Sequence, residues 1–270
     1  MHPAINHWEA ESALAIVDMT GKVFDCWGHR LGRSIASSGV AFSISHDCQT
    51  LVWPVPKDRA VASSRGNEIR IVGRNGDRTV AVAEGWVRMA AASSFKRFCG
   101  LVSWGKRDVS LLLFDESTKL DLTPIVERHQ LDRIETLRFS ASGKLLAVGS
   151  RVGFIVINIR LSSVVFESLG RFPAFGAVDE TVAFVSALGR LALVNLAGAH
   201  VSYPVGDLRV SGVGGWSPDG RCLLVGIPTF LSNQLTIVDF KESHKIDVLK
   251  MDEGVFGNRC LWIDRRFVSP

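Results

Sequence analysis

The chain has 270 residues, 47% of them apolar, and carries 31 Lys and Arg against 27 Asp and Glu for a net charge of +4. That much apolar material excludes a largely disordered chain, and 25 glycines without long helical periodicity favour many short strands joined by turns. The modest basicity, pI 8.9, falls below the level that makes a basic domain a default nucleic-acid binder, and no apolar run approaches the roughly 18 residues of a membrane-spanning helix.

Residues 1–11 are polar and are predicted to form a flexible leader in which His2 and His7 are solvated. Glu9 and Glu11 stand where a secretory signal would need an apolar centre, so a cytoplasmic location is expected. Residues 12–270 hold no linker-like segment and read as one domain. The first apolar strand, LAIVD at 14–18, ends in a carboxylate. Five later segments repeat it, IRIVG (69–73), LLLFD (111–115), IVIN (155–158), LALVN (191–195) and LTIVD (235–239).

A series of tight turns interleaves with those strands: SHDCQTL (45–51), SSFKRFC (93–99), SASGKLL (140–146), GAVDETV (176–182), SPDGRCL (217–223) and WIDRRFV (262–268). The fifth is the clearest. There Pro218 presets φ near about −65°, Gly220 takes a positive φ and Asp219 hydrogen-bonds its own backbone. Successive copies end 48, 47, 36, 41 and 45 residues apart, close to the period of a four-stranded propeller blade.

Six copies of each element predict an all-β, six-bladed β-propeller, and no seventh copy is found. The chain begins on a third-strand element and ends on a first and a second. Strands 14–18 and 23–27 are therefore predicted to join two C-terminal strands in a shared closing blade, which removes open sheet edges. Residues 30–38 are expected to link that blade to the next, 57–66 to form a basic loop, and 125–134 (IVERHQLDRI) to make a helical turn or two. Residues 204–215, with four glycines, read as a loop feeding the inner strand before Trp216, the glycines permitting close backbone approach.

These turn-and-strand copies resemble WD-repeat and TolB-like β-propellers, and those ending in Val-Asp before a short turn, at 15–22 and 236–245, look like the YVTN repeats of lactonase-like propellers. True WD repeats carry Gly-His before the first strand and Trp-Asp after the third. Here only Gly28-His29 and Phe114-Asp115 approach that pattern. The resemblance implies a propeller architecture and, most often for such folds, a platform that binds other proteins. For the lactonase-like type it implies a divalent cation in the central channel.

In such a ring the loops between second and third strands share one face with the connections between blades. Sorting charges by loop places 15 basic and 10 acidic residues on this first face. Trp86, Arg88, Trp104, Lys106 and Arg107 belong to loops of one blade, with Arg59, Arg65, Arg128 and Arg151 expected from its neighbours. Trp and Arg are the residue types enriched at interface hot spots. The leading reading is a non-enzymatic scaffold that binds a protein, one with an acidic surface, through this face without any cofactor. The alternative is a metal-dependent hydrolase or lactonase of small molecules, with Glu84, Glu135, Asp207 and Glu253 as oxygen ligands converging on the channel. Base stacking on the aromatic residues is disfavoured by the small charge surplus and the single Tyr.

Catalytic motifs are absent from the sequence: the seven His are scattered without H-x-x-x-H, and no G-x-S-x-G occurs. Five cysteines, Cys26, Cys48, Cys99, Cys222 and Cys260, are odd in number and widely spaced. They read as reduced, buried thiols rather than as a disulfide frame or a zinc site.

Overall fold

The computed structural model describes residues 14–17, 22–24, 30–34, 43–45, 50–55, 68–73, 76–81, 86–93, 96–103, 109–115, 118–228, 233–240, 245–248 and 260–264. Among these residues the strands form six four-stranded antiparallel sheets. One contains β1 (Leu14–Val17), β2 (Lys22–Phe24) and β3 (Arg30–Ser34), and the next contains β4 (Ser43–Ile44), β5 (Leu51–Val55), β6 (Glu68–Gly73) and β7 (Gly76–Ala81). A third comprises β8 (Trp86–Ala92), β9 (Phe98–Ser103), β10 (Val109–Asp115) and β11 (Thr118–Asp121), followed by the helix α1 (Thr123–Arg128). The fourth is β12 (Thr136–Phe139), β13 (Leu145–Gly149), β14 (Phe154–Asn158) and β15 (Ser163–Ser168). Then come β16 (Gly170–Phe175), β17 (Thr181–Ser186), β18 (Leu191–Asn195) and β19 (His200–Ser202), and after them β20 (Gly212–Trp216), β21 (Cys222–Pro228), β22 (Asn233–Asp239) and β23 (Lys245–Val248). The last strand, β24 (Leu261–Asp264), returns to pair with β1, so the first sheet has the order β24-β1-β2-β3.

That sheet is shared between the two ends of the chain, but its composition corrects the expectation of two strands from each. It takes three strands from the N-terminal side and one from the C-terminal side. The cause is that LAIVD stands second in its sheet, beside β24, and not third. Ala15 and Ile16 are fully buried there, and a continuous apolar run suits any strand covered on both faces. Arg30–Ser34, expected as a link, supplies the fourth strand instead.

Each predicted turn whose residues are described joins the first two strands of a sheet, and the recurring serine explains why. Ser217 donates its backbone N–H to the Cys222 carbonyl and takes the Cys222 N–H on Oγ at 2.9 Å. Ser140 does the same with Leu145, and Ser45 with Thr50. Asp219 Oδ1 accepts the Arg221 N–H at 3.1 Å, and Gly220 sits at φ +70°, as the turn chemistry requires. Of the copy at 262–268, Trp262–Asp264 fall within β24 and the rest lie outside the described residues.

Neighbouring turns also meet each other. Arg97 Nη1 donates to the Gly143 carbonyl at 3.1 Å, Ser142 hydrogen-bonds Asp179 through both its N–H and its hydroxyl, and a Cβ added to Gly220 would strike Ala177. These contacts stitch four consecutive sheets together along one face.

The core lies in layers between adjacent sheets. One cluster fills the space between the β8–β11 and β12–β15 sheets with Leu101, Leu111, Leu146 and Ile155, another sets Phe172, Val213, Trp216 and Leu223 between the next two. Phe154 of one sheet packs on Phe184 of the following one with ring centroids 5.1 Å apart. First strands touch in succession: β4 meets β8, β8 meets β12, β12 meets β16, β16 meets β20, β20 meets β24, and β24 meets β4.

Two expectations shift by a few residues. The helix begins at Thr123, two residues before the predicted stretch, with Pro in its first turn where a missing N–H costs nothing. The glycines of 212–215 lie inside β20 and not in a loop. Gly215 N–H donates to the Cys260 carbonyl at 3.1 Å, and a Cβ on Gly214 would overlap that same oxygen. The close approach foreseen for these glycines is thus made to the sheet that β1 and β24 share.

The Asp ending a third strand pairs with an Arg at the start of the second. Arg221 reaches Asp239 at 2.7 Å with side chains 18% and 4% exposed, and Arg97 reaches Asp115 at 2.5 Å with both about a third exposed. Removing one partner of a buried pair strands its charge, whereas a solvated pair contributes little. Asp239→Ala should therefore cost about 3–5 kcal/mol in chemical denaturation, against at most about 1 kcal/mol for Asp115→Ala. Burial also pushes the Cys99 thiol up to about 12 from 9.0, a hydrogen bond with the Ala91 backbone only partly offsetting it. The folded chain holds that proton more tightly than the unfolded one, so the contribution is intact below pH 9 and is lost as pH rises from 9 toward 12. Native protein at pH 8 should leave Cys99 unmodified by a thiol reagent that labels it fully in denaturant.

Candidate functional site

The face opposite the stitched turns is built from the loops between second and third strands and from the connections between sheets. Two of these loops share one design. In Ser150-Arg151-Val152-Gly153, Ser150 Oγ donates to the Gly153 carbonyl and accepts the N–H groups of Val152 and Gly153. In Ser186-Ala187-Leu188-Gly189, Ser186 Oγ accepts the Arg190 N–H, and Gly189 turns the chain at φ +73°. Each serine satisfies the loop's backbone from within, and the apolar residue before the glycine is left facing water. Val152 is 63% exposed and Leu188 67%.

A third exposed side chain stands between them. Leu169, 72% exposed, connects β15 to β16. A Cβ on Gly153 would lie 4.0 Å from the Leu169 Cα, which places the first loop against it. Gly170 faces Ser186 in the β16–β17 ladder, so Leu169 continues past the ladder's end beside Ala187 and Leu188. Three exposed apolar residues thus stand on adjoining segments of one face.

Arginines surround the patch. Glu135 accepts Arg151 Nε at 3.0 Å on one oxygen and Arg171 Nη2 at 3.2 Å on the other, and Arg171 also lies 4.7 Å over the Phe172 ring. Phe172 is buried yet holds φ +57° inside a bulge of β16, a strained conformation of the sort retained at functional positions. Arg190 pairs with Asp207 at 2.8 Å, and its backbone bridges to Arg209.

A cleft of about 650 Å³ opens among the β8–β10 strands, α1 and the segment leading to β12. Met89, Val109, Leu131 and Ile134 give it an apolar lining, and Arg88, Glu127, Asp132 and Arg133 contribute charge. Arg88 is the extra residue of a bulge in β8, since Val87 pairs with Val102 and Met89 with Leu101.

Of the side chains predicted for this face, those of Arg88, Arg128 and Arg151 are described, and all three are exposed. Arg88 comes together with Arg133 at the cleft, and Arg151 with Arg171 at Glu135. Arg128 ends α1 and lines neither site. Trp86 opens β8, but its side chain lies outside the described residues, as do Arg59, Arg65, Trp104, Lys106 and Arg107. Among the predicted oxygen ligands, Glu135 is engaged by two guanidinium groups and Asp207 by one, while Glu84 and Glu253 lie outside the described residues. Among the described residues no group of three or more His, Cys, Asp or Glu is placed to hold a metal ion, and no helix is long and apolar enough to cross a membrane.

The apolar patch went unpredicted because sorting loops by charge ignores it. Its signal in the sequence is the Ser-x-Val/Leu-Gly pattern at 150–153 and 186–189.

No protein-family model matches the chain, and no curated protein matches it either. Solved structures do. TolB from Acinetobacter baumannii superposes with a TM-score of 0.62 at 13% identity over 92% of this chain, which spans only 66% of the TolB chain. A Nidogen/Laminin complex matches with a TM-score of 0.60 at 12% identity, covering 93% of this chain and 99% of that one. The β-propeller domain of Cps50 (Swd1) from Myceliophteria thermophila gives 0.55 at 13% identity, covering 93% and 86%. At these identities the likeness concerns the fold, and the fold is that of a β-propeller.

Proposed function

We propose that this chain is a cytoplasmic six-bladed β-propeller, closed by the sheet its two ends share, that acts without enzymatic activity as a scaffold for another protein. The succession of first-strand contacts from β4 round to β24 supports the six-bladed ring. The binding surface is the face carrying Val152, Leu169 and Leu188, and this patch is the observation that carries the reading. Val152 and Leu188 are held outward by loops that satisfy their own backbone, and all three side chains are mostly exposed in the free chain. Each gains about 1.5–3 kcal/mol when a partner buries it fully. The opposite face is tied up in turn-to-turn contacts.

The partner's chemistry follows from what frames the patch. Arg151, Arg171 and Arg190 outnumber Glu135 and Asp207 around it, so a partner offering apolar side chains flanked by carboxylates is favoured. Lys106, Arg107, Arg59 and Arg65 extend the same basic surface in this proposal. One fold neighbour is itself a structure of a protein complex, Nidogen with Laminin, in keeping with such a role.

The test is affinity capture from the native cell, followed by titration of the purified captured protein. Leu169→Glu with Leu188→Glu should weaken that complex by about tenfold or more with unchanged Tm, because both side chains are exposed. Lys106→Glu with Arg107→Glu should weaken it and lower its salt dependence. Unchanged affinity in the leucine variant would place the interface elsewhere. For the metal-dependent alternative, added Ca²⁺, Zn²⁺ or Mn²⁺ should leave Tm where it is, since Glu135 and Asp207 are already satisfied by arginine. A rise in Tm that saturates with the cation would favour a metal site instead.

A further inference from the structure

The cleft beside α1 carries features that protein docking at the leucine patch does not use. Its volume of about 650 Å³ lies within the range of about 300–1,000 Å³ typical of small-ligand sites. Its apolar side chains come from three elements: Met89 from the first strand of its sheet, Val109 from the third, and Leu131 with Ile134 from the segment after α1. All four are only partly buried, although they lie against a core cluster that contains Leu101, Leu111 and Val126. The protein thus keeps an apolar hollow open to solvent.

Charge is delivered to that hollow by irregular backbone at two independent places. The bulge at Arg88 removes this residue from the β8–β9 ladder and re-aims its side chain. Arg133 sits at φ +46°, three residues after Gln130 at φ +53°, conformations that non-glycine residues adopt at a cost of about 1–3 kcal/mol. Glu127 and Asp132 complete the lining. Among the described residues none of these four forms an ion pair with another. Two guanidinium groups and two carboxylates with no ion-pair partner among the described residues therefore share one cleft of mixed apolar and polar lining. A purely anionic ligand would answer the arginines and meet the carboxylates with like charge. A purely cationic one would do the reverse.

We infer that the cleft binds a small zwitterion with an apolar body, of the class of short apolar peptides with both termini free. The carboxylate end is received by Arg88 and Arg133, the ammonium end by Glu127 and Asp132, and the side chains by Met89, Val109, Leu131 and Ile134. This site is separate from the leucine patch, and its occupancy does not depend on the scaffold reading.

Titration calorimetry with the dipeptide Leu-Leu tests it on the full chain. One saturable site is expected, with affinity falling about tenfold or more for N-acetyl-Leu-Leu, for Leu-Leu-amide and for Gly-Gly, which remove the ammonium, the carboxylate and the apolar body in turn. Arg133→Glu, at an exposed position, should weaken Leu-Leu by a similar factor. Met89→Trp should abolish binding by filling the cleft, and Leu169→Glu should leave it unchanged. Absence of a saturable Leu-Leu site overturns the inference. So does equal binding of either capped dipeptide, which would mean that only one terminus is read, or Leu-Leu binding unaffected by Arg133→Glu. Because Leu169→Glu is silent here and Arg133→Glu plays no part in the scaffold test, the two readings fail separately.

Discussion

Four residue pairs between the chain's two ends hold this architecture together. Leu14 faces Asp264, Ala15 faces Ile263, Ile16 faces Trp262 and Val17 faces Leu261. Without this ladder both strands would offer unpaired N–H and C=O groups, and buried apolar residues such as Ile16 and Leu261 would lose their cover. The pairing also sets β24 against β20, where the Cys260 carbonyl receives the Gly215 N–H across a gap that only glycine at 214 leaves open. Closing such a long stretch of chain carries a loop entropy that grows only slowly with length. Long-range pairing of this sort does slow folding, and β24, about 240 residues after β1, is needed to complete the first sheet.

The two faces solve different problems with the same residue type. On the stitched face Ser45, Ser140 and Ser217 each begin a turn, and the hydroxyl takes an N–H at the start of the following strand, which leaves the turn free to contact its neighbour. On the opposite face, Ser150 and Ser186 satisfy backbone groups within their own loops, and Val152 and Leu188 project outward. A satisfied backbone lets a loop keep its shape without packing, and that makes an exposed apolar residue tolerable in the free protein.

Strain follows the same division. Gln130, Arg133 and Phe172 hold left-handed conformations close to the cleft or the arginine cluster, while Ser162 and Ala199 do so in third-to-fourth-strand turns, where a positive φ closes a hairpin. The bulges of β8, β16 and β20 all fall in first strands. Two of them border the candidate sites through Arg88 and Arg171, and the third lets β20 approach the sheet that β1 and β24 share.

The repeat was legible in the sequence because local chemistry enforces it. Every strand of the LAIVD series and each described turn beginning with Ser or Gly is present, since alternating turn and apolar run leaves the backbone few alternatives. Glu135 and Arg151 could be named as residues of one face, but not that Arg171 would share Glu135 with Arg151, because that triangle joins the segment before β12, the β13–β14 loop and strand β16. Nor could the order of strands in the sheet shared by β1 and β24 be read off: LAIVD suits a second or a third position equally, and only pairing with β24 distinguishes them. What the sequence determined by itself is the unit, set by interactions within a few residues. What the tertiary structure decided is how the units meet, which side chains remain exposed when the cores are filled, and which charges are left without partners, because each of these depends on contacts between residues far apart in the chain.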